Sequence, residues 1–150
     1  MNRTIIKLFL CLCIVTALPS YAYNTVHYYF RTVDIRNGLS QNSVNRIFQD
    51  KKGFMWFGTK DGLSRYDGLS FRIYNNENSN LGRNFITVLY EDSKGNIWVG
   101  TDGGLYIYNP ILDSFTEFNL VSDKGTVIRD FVTMIRCDEH LNLWISVENQ

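Results

Sequence analysis

The sequence has few cysteines, few histidines and no hydrophobic run long enough to span a membrane. It contains three cysteines and two histidines in 150 residues, and basic and acidic side chains balance at 15 each. Because the basic residues are also scattered, nothing indicates a nucleic-acid surface. Two isolated histidines do not form a metal site, which needs several converging ligands. We therefore expect no metal, no other cofactor and no bound nucleic acid.

Residues 1–22 have the composition of a secretory signal peptide. Two basic residues precede the apolar run 8–18, and small residues follow at the third and first positions before a cleavage point. This order predicts cleavage between Ala22 and Tyr23. The alternative is a transmembrane anchor, but the run is shorter than the ~20 residues that a spanning helix needs. A lipoprotein signal fits less well, because leucine rather than a small residue precedes each cysteine of the run.

Cleavage would leave residues 23–150 with a single cysteine, Cys137. An intrachain disulfide is therefore excluded in the exported part. Cys137 lies in an apolar strand pattern, which favours a buried thiol.

The chain repeats itself. GFMWFGTKDGLSRYDG at residues 53–68 returns as GNIWVGTDGGLYIYNP at residues 95–110. Trp56 and Trp98 are 42 residues apart, and a third copy places Trp144 a further 46 residues on. The positions that carry this signature are Asp50, Gly53, Trp56, Gly58 and Thr59 in the first copy, Asp92, Gly95, Trp98, Gly100 and Thr101 in the second, and Trp144 in the third.

Each copy divides into four short strands, rich in β-branched and aromatic residues and bounded by turn residues. Four-stranded antiparallel units repeated every ~40–45 residues are typical of β-propeller blades. The fold class is therefore all-β, with a two-sheet sandwich as the alternative. The predicted parts of the partial propeller at residues 23–150 are a lone closing strand at 28–34, a first blade at 43–75, a second blade at 85–119 and an incomplete third blade at 130–150.

The conserved spacing assigns structural roles to the signature residues. Aspartate at the first turn position accepts a backbone N–H, and the glycine that follows supplies a positive φ. Glycine inside a strand indicates close approach of another backbone. The tryptophans are expected to pack between stacked sheets. The alternative role for them, stacking against a sugar, requires their faces to line a groove.

Closed propellers have ~4–8 blades, or on the order of 170–340 residues. Residues 23–150 supply one strand, two blades and half of a third, so the ring is expected to be incomplete. The chain is predicted to be the N-terminal piece of a longer protein, or a truncated reading frame.

NGLSQNSVNRIFQDKKGFMWFGTKDGLSRYDG and FITVLYEDSKGNIWVGTDGGLYIYNP resemble the two-component regulator propeller repeat, over about residues 28–150. The third copy departs from the pattern at Leu141 and at Ile145-Ser146-Val147. The resemblance implies the N-terminal part of a hybrid two-component sensor with a histidine kinase and a response regulator. In that family the propellers lie in the periplasm, a transmembrane helix and the kinase follow them, and oligosaccharides bind to a dimer.

The resemblance therefore implies a periplasmic ligand-sensing segment of an inner-membrane receptor, held to the membrane only through a downstream helix. No Ser-His-Asp or paired-carboxylate arrangement stands out, so no catalytic residue is assigned. Two alternatives stay open: a propeller lyase or glycosidase whose catalytic residues lie in later blades, and an exported scaffold for protein contacts. Four residues have side chains suited to hydroxyl-rich ligands, but their spacing does not mark a site, and the ligand contacts stay unknown: Arg65, Tyr66, Arg83 and Asn84.

Overall fold

The computed structural model describes residues 26–148. The predicted signal peptide, with its cleavage point between Ala22 and Tyr23, lies outside these residues. The chain divides into two compact units, Met1–Arg31 and Thr32–Gln150. Of the first unit only residues 26–31 are described, and they contain no helix or strand. Among the described residues, no helix is long and apolar enough to cross a membrane.

The second unit contains two four-stranded antiparallel sheets, each with its strands in sequence order. A short 3-10 helix, Ile35–Asn37, precedes them, and the Asp34 side chain caps it by accepting the Arg36 N–H. The first sheet comprises β1 (Val44–Gln49), β2 (Met55–Thr59), β3 (Gly62–Tyr66) and β4 (Phe71–Tyr74). The second comprises β5 (Ile86–Glu91), β6 (Ile97–Thr101), β7 (Gly104–Asn109) and β8 (Ser114–Phe118).

The third copy of the repeat forms a two-stranded hairpin, β11 (Phe131–Cys137) with β12 (Leu143–Glu148). In all three copies the pairing register shifts at the same place, between Val44 and Arg46, Ile86 and Val88, or Val132 and Met134. The repeat in the sequence is therefore also a repeat in strand register. Cys137, predicted to be a buried thiol, is half-buried and free.

One feature of the fold was not predicted from the sequence, and one predicted strand stays a prediction. A small hairpin, β9 (Leu120–Val121) with β10 (Val127–Ile128), is inserted between the second sheet and the third copy. The segment 28–34, predicted as a lone closing strand, contains no strand. A β-strand exists through hydrogen bonds to a neighbouring strand. The predicted partner of this segment is the last blade of a closed ring, which the described residues do not include, so the closing strand stays a prediction.

The first strands of the three copies lie side by side, since β1 contacts β5 and β5 contacts β11. Side chains join these strands as well. The Asn45 amide donates to the Ile86 carbonyl at 3.1 Å, and the Thr87 hydroxyl donates to the Val132 carbonyl at 2.6 Å. Consecutive copies are thus joined at the same point of their first strands by a side-chain-to-backbone hydrogen bond.

Apolar side chains fill both interfaces between consecutive copies. The first cluster joins the two four-stranded sheets and contains Trp56, Leu63, Tyr74, Leu81, Ile86, Leu89, Ile97, Val99, Tyr106, Tyr108 and Phe115. The second joins the second sheet to the third copy and contains Val88, Trp98, Leu105, Val132 and Ile135. The core is therefore made of two layers between sheets, as expected for stacked blades.

Trp56 and Trp98 take the packing role that the sequence predicted, because 0% and 6% of their surfaces are exposed. Trp144, for which the same role was predicted, is 63% exposed. It belongs to the third copy, and no described residues form a further sheet against its face.

Candidate functional site

In each copy an aspartate side chain accepts hydrogen bonds from the turn between the first two strands. The same carboxylate also accepts a hydrogen bond from the tryptophan of the second strand. Asp50 Oδ1 accepts the backbone N–H groups of Lys52 at 3.0 Å and Phe54 at 2.9 Å. Its Oδ2 accepts the indole N–H of Trp56 at 2.8 Å. One carboxylate therefore satisfies both the turn and the only polar atom of a fully buried tryptophan side chain.

The other two copies repeat this bond. The indole N–H of Trp98 donates to Asp92 Oδ2, and that of Trp144 donates to Asp138 Oδ2, each at 3.0 Å. The aspartates were predicted to form turns and the tryptophans to pack between sheets, but the bond between them was not predicted. The available signal was the constant separation of six residues from Asp to Trp.

These contacts lower the pKa values of two of the carboxyl groups. Burial alone would raise the pKa of Asp92, but hydrogen bonds from Trp98 and Asn96 outweigh it, and the pKa lies below its usual value. Hydrogen bonds from Asn142, Trp144 and the backbone lower the pKa of Asp138 to about 2. Both side chains are therefore ionised at neutral pH and serve as acceptors.

The turn glycines have the positive φ that was predicted, +92° at Gly53 and +84° at Gly95. In the third copy the residue with the positive φ is Leu141, at +66°, and not the asparagine that follows it, Asn142. Asn142 instead donates its amide to Asp138 Oδ2 at 2.9 Å, as Asn96 does to Asp92.

The remaining signature residues fix the opposite turn and the contact between copies. The Thr59 hydroxyl donates to the Gly62 carbonyl at 2.8 Å, and the Thr101 hydroxyl donates to the Gly104 carbonyl at 2.9 Å. Gly58 and Gly100 are buried at the interfaces between copies. The recurrence of the signature residues is therefore explained by their roles in turns and at the contacts between copies, without a ligand.

A cleft of about 580 Å³ lies between the two four-stranded sheets. The Asp50 turn and the Asp92 turn contribute to its lining, as do Arg65 from β3 and Tyr108 from β7. The volume falls within the ~300–1,000 Å³ that is usual for ligand pockets. This cleft is the candidate functional site.

Arg65 is held in the cleft by aromatic rings. Its guanidinium carbon lies 4.9 Å from the centre of the Phe54 ring, 5.6 Å from Tyr74 and 5.8 Å from Tyr108. Cations at such distances are attracted to the faces of the rings. The side chain is 23% exposed, so the guanidinium is both fixed in position and open to the cleft.

Behind Arg65, the Asp113 carboxylate accepts the hydroxyls of Tyr74 at 2.6 Å and Tyr108 at 2.8 Å. Burial, and then the bond to Asp113, raises the pKa of Tyr74. For Asp113 burial acts in the raising direction, but the two tyrosine hydroxyls and Arg65 outweigh it and lower the pKa. This network joins the first sheet to the second and holds the wall of the cleft.

The other residues considered from the sequence do not converge on this cleft. The Tyr66 hydroxyl donates to the Gly68 carbonyl at 2.6 Å, and the Asn84 amide donates to Asp61 at 3.1 Å. Arg83 lies against Gly103. A second, smaller hollow of about 250 Å³ lies at the starts of the first strands, beside Phe85 and Phe131. Within residues 26–148, no group of three or more metal-binding side chains comes together.

Four-stranded antiparallel sheets in sequence order, stacked by their faces with their first strands adjacent, define the class of protein. Residues 44–148 are consecutive blades of a β-propeller, and their ring is not closed.

The profile of the two-component regulator propeller family matches residues 38–61 and 80–103 of the chain. Over 50 residues, a third of the chain, it is 48% identical to histidine kinase P4 of Formosa agariphila. Two solved structures from B. thetaiotaomicron are similar. The extracellular domain of BT4673, assigned as a one-component system, matches 77% of the chain with a TM-score of 0.68 and 30% identity. The extracellular domain of BT3049, assigned as a hybrid two-component system, matches 77% with a TM-score of 0.65 and 31% identity.

The chain spans only a small part of these relatives. It covers 17% of each of the two extracellular domains and 4% of the kinase. The chain therefore corresponds to one part of each relative.

Proposed function

We propose that this chain is the extracytoplasmic, ligand-sensing propeller segment of a two-component signal-transduction receptor. The observation that supports the proposal is the agreement of repeat and structure, at 31% identity, with an extracellular domain assigned to a hybrid two-component system. The receptor responds to oligosaccharides, and residues 1–22 direct the segment out of the cytoplasm. In the full receptor the segment works as a homodimer, and a downstream helix connects it to a kinase in the inner membrane.

The segment itself carries no reaction in this proposal. The polar side chains of its repeat signature are used for the structure of the blades, as the Asp50 carboxylate is by accepting the Trp56 indole N–H. Rigid blades with turns exposed at their ends are suited to binding, because surface loops on a fixed scaffold can present several contacts at once. Binding alters the packing of the dimer, and the altered packing is transmitted across the membrane.

The test compares a strain that lacks the gene with its parent during growth on a panel of purified polysaccharides, with transcripts measured after each shift. We expect one polysaccharide to induce a gene set in the parent and not in the deletion strain. Complementation with the gene should restore induction. An identical response in both strains would overturn the proposal. The purified product is assayed in parallel for release of new reducing ends, which would instead favour a propeller lyase or glycosidase.

The location is tested separately. A fusion of residues 1–60 to alkaline phosphatase should be active, because that enzyme folds only outside the cytoplasm. The amino terminus of the exported protein should begin at Tyr23. An inactive fusion would contradict export.

A further inference from the structure

The cleft between the first two blades has an excess of positive charge at its opening. Four cationic side chains line it, and two carboxylates oppose them. Both carboxylates accept hydrogen bonds. Asp50 accepts two backbone N–H groups and the Trp56 indole N–H, and Glu91 Oε2 accepts the Lys51 backbone N–H at 2.9 Å. The lining therefore has two more cationic than anionic side chains.

Lys51 has a structural role in the cleft. Its ammonium group donates to the carbonyls of Asp92 at 2.9 Å and Ser93 at 3.3 Å, and so joins the turn of the first blade to the turn of the second. In residues 26–148 the ammonium groups of Lys52 and Lys94 take part in no hydrogen bond or ion pair. These two lysines are exposed and line the same cleft.

Arg65 lies deeper and has unused donors. Among the described residues its guanidinium makes one hydrogen bond, to the Tyr108 hydroxyl, and its ion pair with Asp113 is long, at 3.5 Å. A guanidinium has five N–H donors in a rigid fork that matches the two oxygens of a carboxylate or a sulfate. The rings of Phe54 and Tyr108 hold that fork in place and lower the local dielectric. An anion that reaches it is bound more strongly than one on the open surface.

We propose that this cleft binds the anionic group of an acidic oligosaccharide, a carboxylate or a sulfate, through Arg65, with Lys52 and Lys94 as the outer contacts. That the ligand is a saccharide rests on the function proposed above, whereas the requirement for negative charge comes from the cleft. The two turns come from different blades, so the ligand bridges the first blade and the second.

The experiment is isothermal titration calorimetry on the whole gene product with three probes of similar length: an oligogalacturonate carrying carboxylates, a heparin hexasaccharide carrying sulfates, and neutral maltohexaose. We expect one acidic probe to bind at least about tenfold more tightly than the neutral one. Its affinity should fall as salt rises from about 0.05 to 0.5 M, because ions screen exposed charges. The preferred acidic probe distinguishes the two anionic groups.

Variants identify the residues responsible. The double variant Lys52→Gln, Lys94→Gln should bind the acidic probe at least about tenfold more weakly than the parent. The matched control is Lys124→Gln, in the turn of the β9–β10 hairpin and outside the cleft, which should bind as the parent does. Arg65→Lys keeps the charge and loses the fork, and should weaken binding further. Its fold is checked by circular dichroism, and the two lysine substitutions remain informative if that variant does not fold.

Three results would overturn this inference. The first is equal affinity for the neutral and the acidic saccharides. That result would remove the requirement for negative charge but would leave the proposed saccharide sensing standing. Another is acidic binding that the lysine substitutions do not change, which places the ligand elsewhere. The last is binding of inorganic sulfate without any saccharide, which would count against the proposed function as well.

Discussion

The side chain of Ile86 fills the space beside Gly58 that the Cβ of any other residue would occupy. A Cβ built on Gly58 lies 2.6 Å from Ile86 Cγ2. At the next interface a Cβ on Gly100 lies 2.5 Å from Val88 Cγ1 and 2.9 Å from Val132 Cβ. Ile86 and Val132 hold equivalent positions in consecutive copies. The glycine of one blade therefore receives the first strand of the blade that follows it.

Gly58→Ala is expected to destabilise the fold by about 1–3 kcal/mol, because the added methyl overpacks a closed interface. Urea denaturation followed by tryptophan fluorescence measures the loss. Combining Gly58→Ala with Ile86→Ala should cost less than the sum of the two single changes, since the double variant relieves the clash. Additive costs would show that the two residues do not interact. Ser146→Ala, at the equivalent and exposed position of the third copy, is the control and should change stability by less than about 0.5 kcal/mol.

Asp50→Ala is expected to lower the free energy of unfolding by about 3 kcal/mol. The change leaves the indole N–H of buried Trp56 and two turn N–H groups without their acceptor. Asp138→Ala removes the equivalent bonds from the third copy, together with the bond from the Asn142 amide. There Trp144 is 63% exposed, and water can replace the carboxylate. The second change should therefore be clearly milder in the same denaturation assay. Equal losses would contradict the view that the bond matters through burial.

Leu141→Gly is expected to stabilise the protein by about 0.5–1 kcal/mol, because Leu141 has a φ of +66° that glycine adopts without strain. Leu141 is 63% exposed, so little buried apolar contact is lost. The reverse change, Gly95→Leu at the equivalent turn of the second copy, should destabilise. A thermal melt of both variants measures the two shifts, and shifts of the same sign would refute the argument.

Acid is expected to destabilise the fold through the lowered carboxyl pKa values. A carboxyl group whose pKa is lower in the folded state adds stability that is complete above its usual value of 3.8 and is lost as pH falls through the folded value. For Asp138 that value is about 2. The free energy of unfolding should therefore be constant above about pH 5 and fall between about pH 4 and 2. Asp92→Asn should reduce the slope, and NMR titration of Asp138 with a midpoint near 4 would contradict the account.

Residues 23–150 expressed alone are expected to self-associate. Trp144 and Met134, at 63% and 44% exposure, leave an apolar surface on the third copy, and such surfaces attract one another. Light scattering should report a mass that rises with concentration, and Trp144→Arg should lower it. A sharp, reversible melt of a monomer would disprove this expectation.

The blades could be located from the sequence because the same residue pattern recurs in each copy. Trp56 and Trp98 recur with their flanking glycines, and strand positions follow from that spacing alone. The Asp50–Trp56 bond lay within the same pattern and was missed, because a turn role already explained the aspartate. The β9–β10 hairpin has no counterpart in the other copies, so periodicity carries no signal for it.

The cleft could not be predicted from the sequence, because its lining comes from two different blades. Arg65 belongs to the first blade and Tyr108 to the second, 43 positions apart in the chain. Only the stacking of the two sheets brings the guanidinium against that ring. Contacts across blades depend on the angle and depth of stacking, which no local pattern of residues encodes.

The contact between Gly58 and Ile86 also bears on how such a protein grows. The second unit offers Gly100 to its follower and Ile86 to its predecessor, so a further copy of this unit inserted beside it would find a fitting neighbour on either side. A gene of this kind can lengthen by tandem duplication without evolving a new interface. The third copy differs, because it has Ser146 where the first two copies have Gly58 and Gly100. A duplicate packed against the third copy would meet the serine side chain in the space that the glycines leave open.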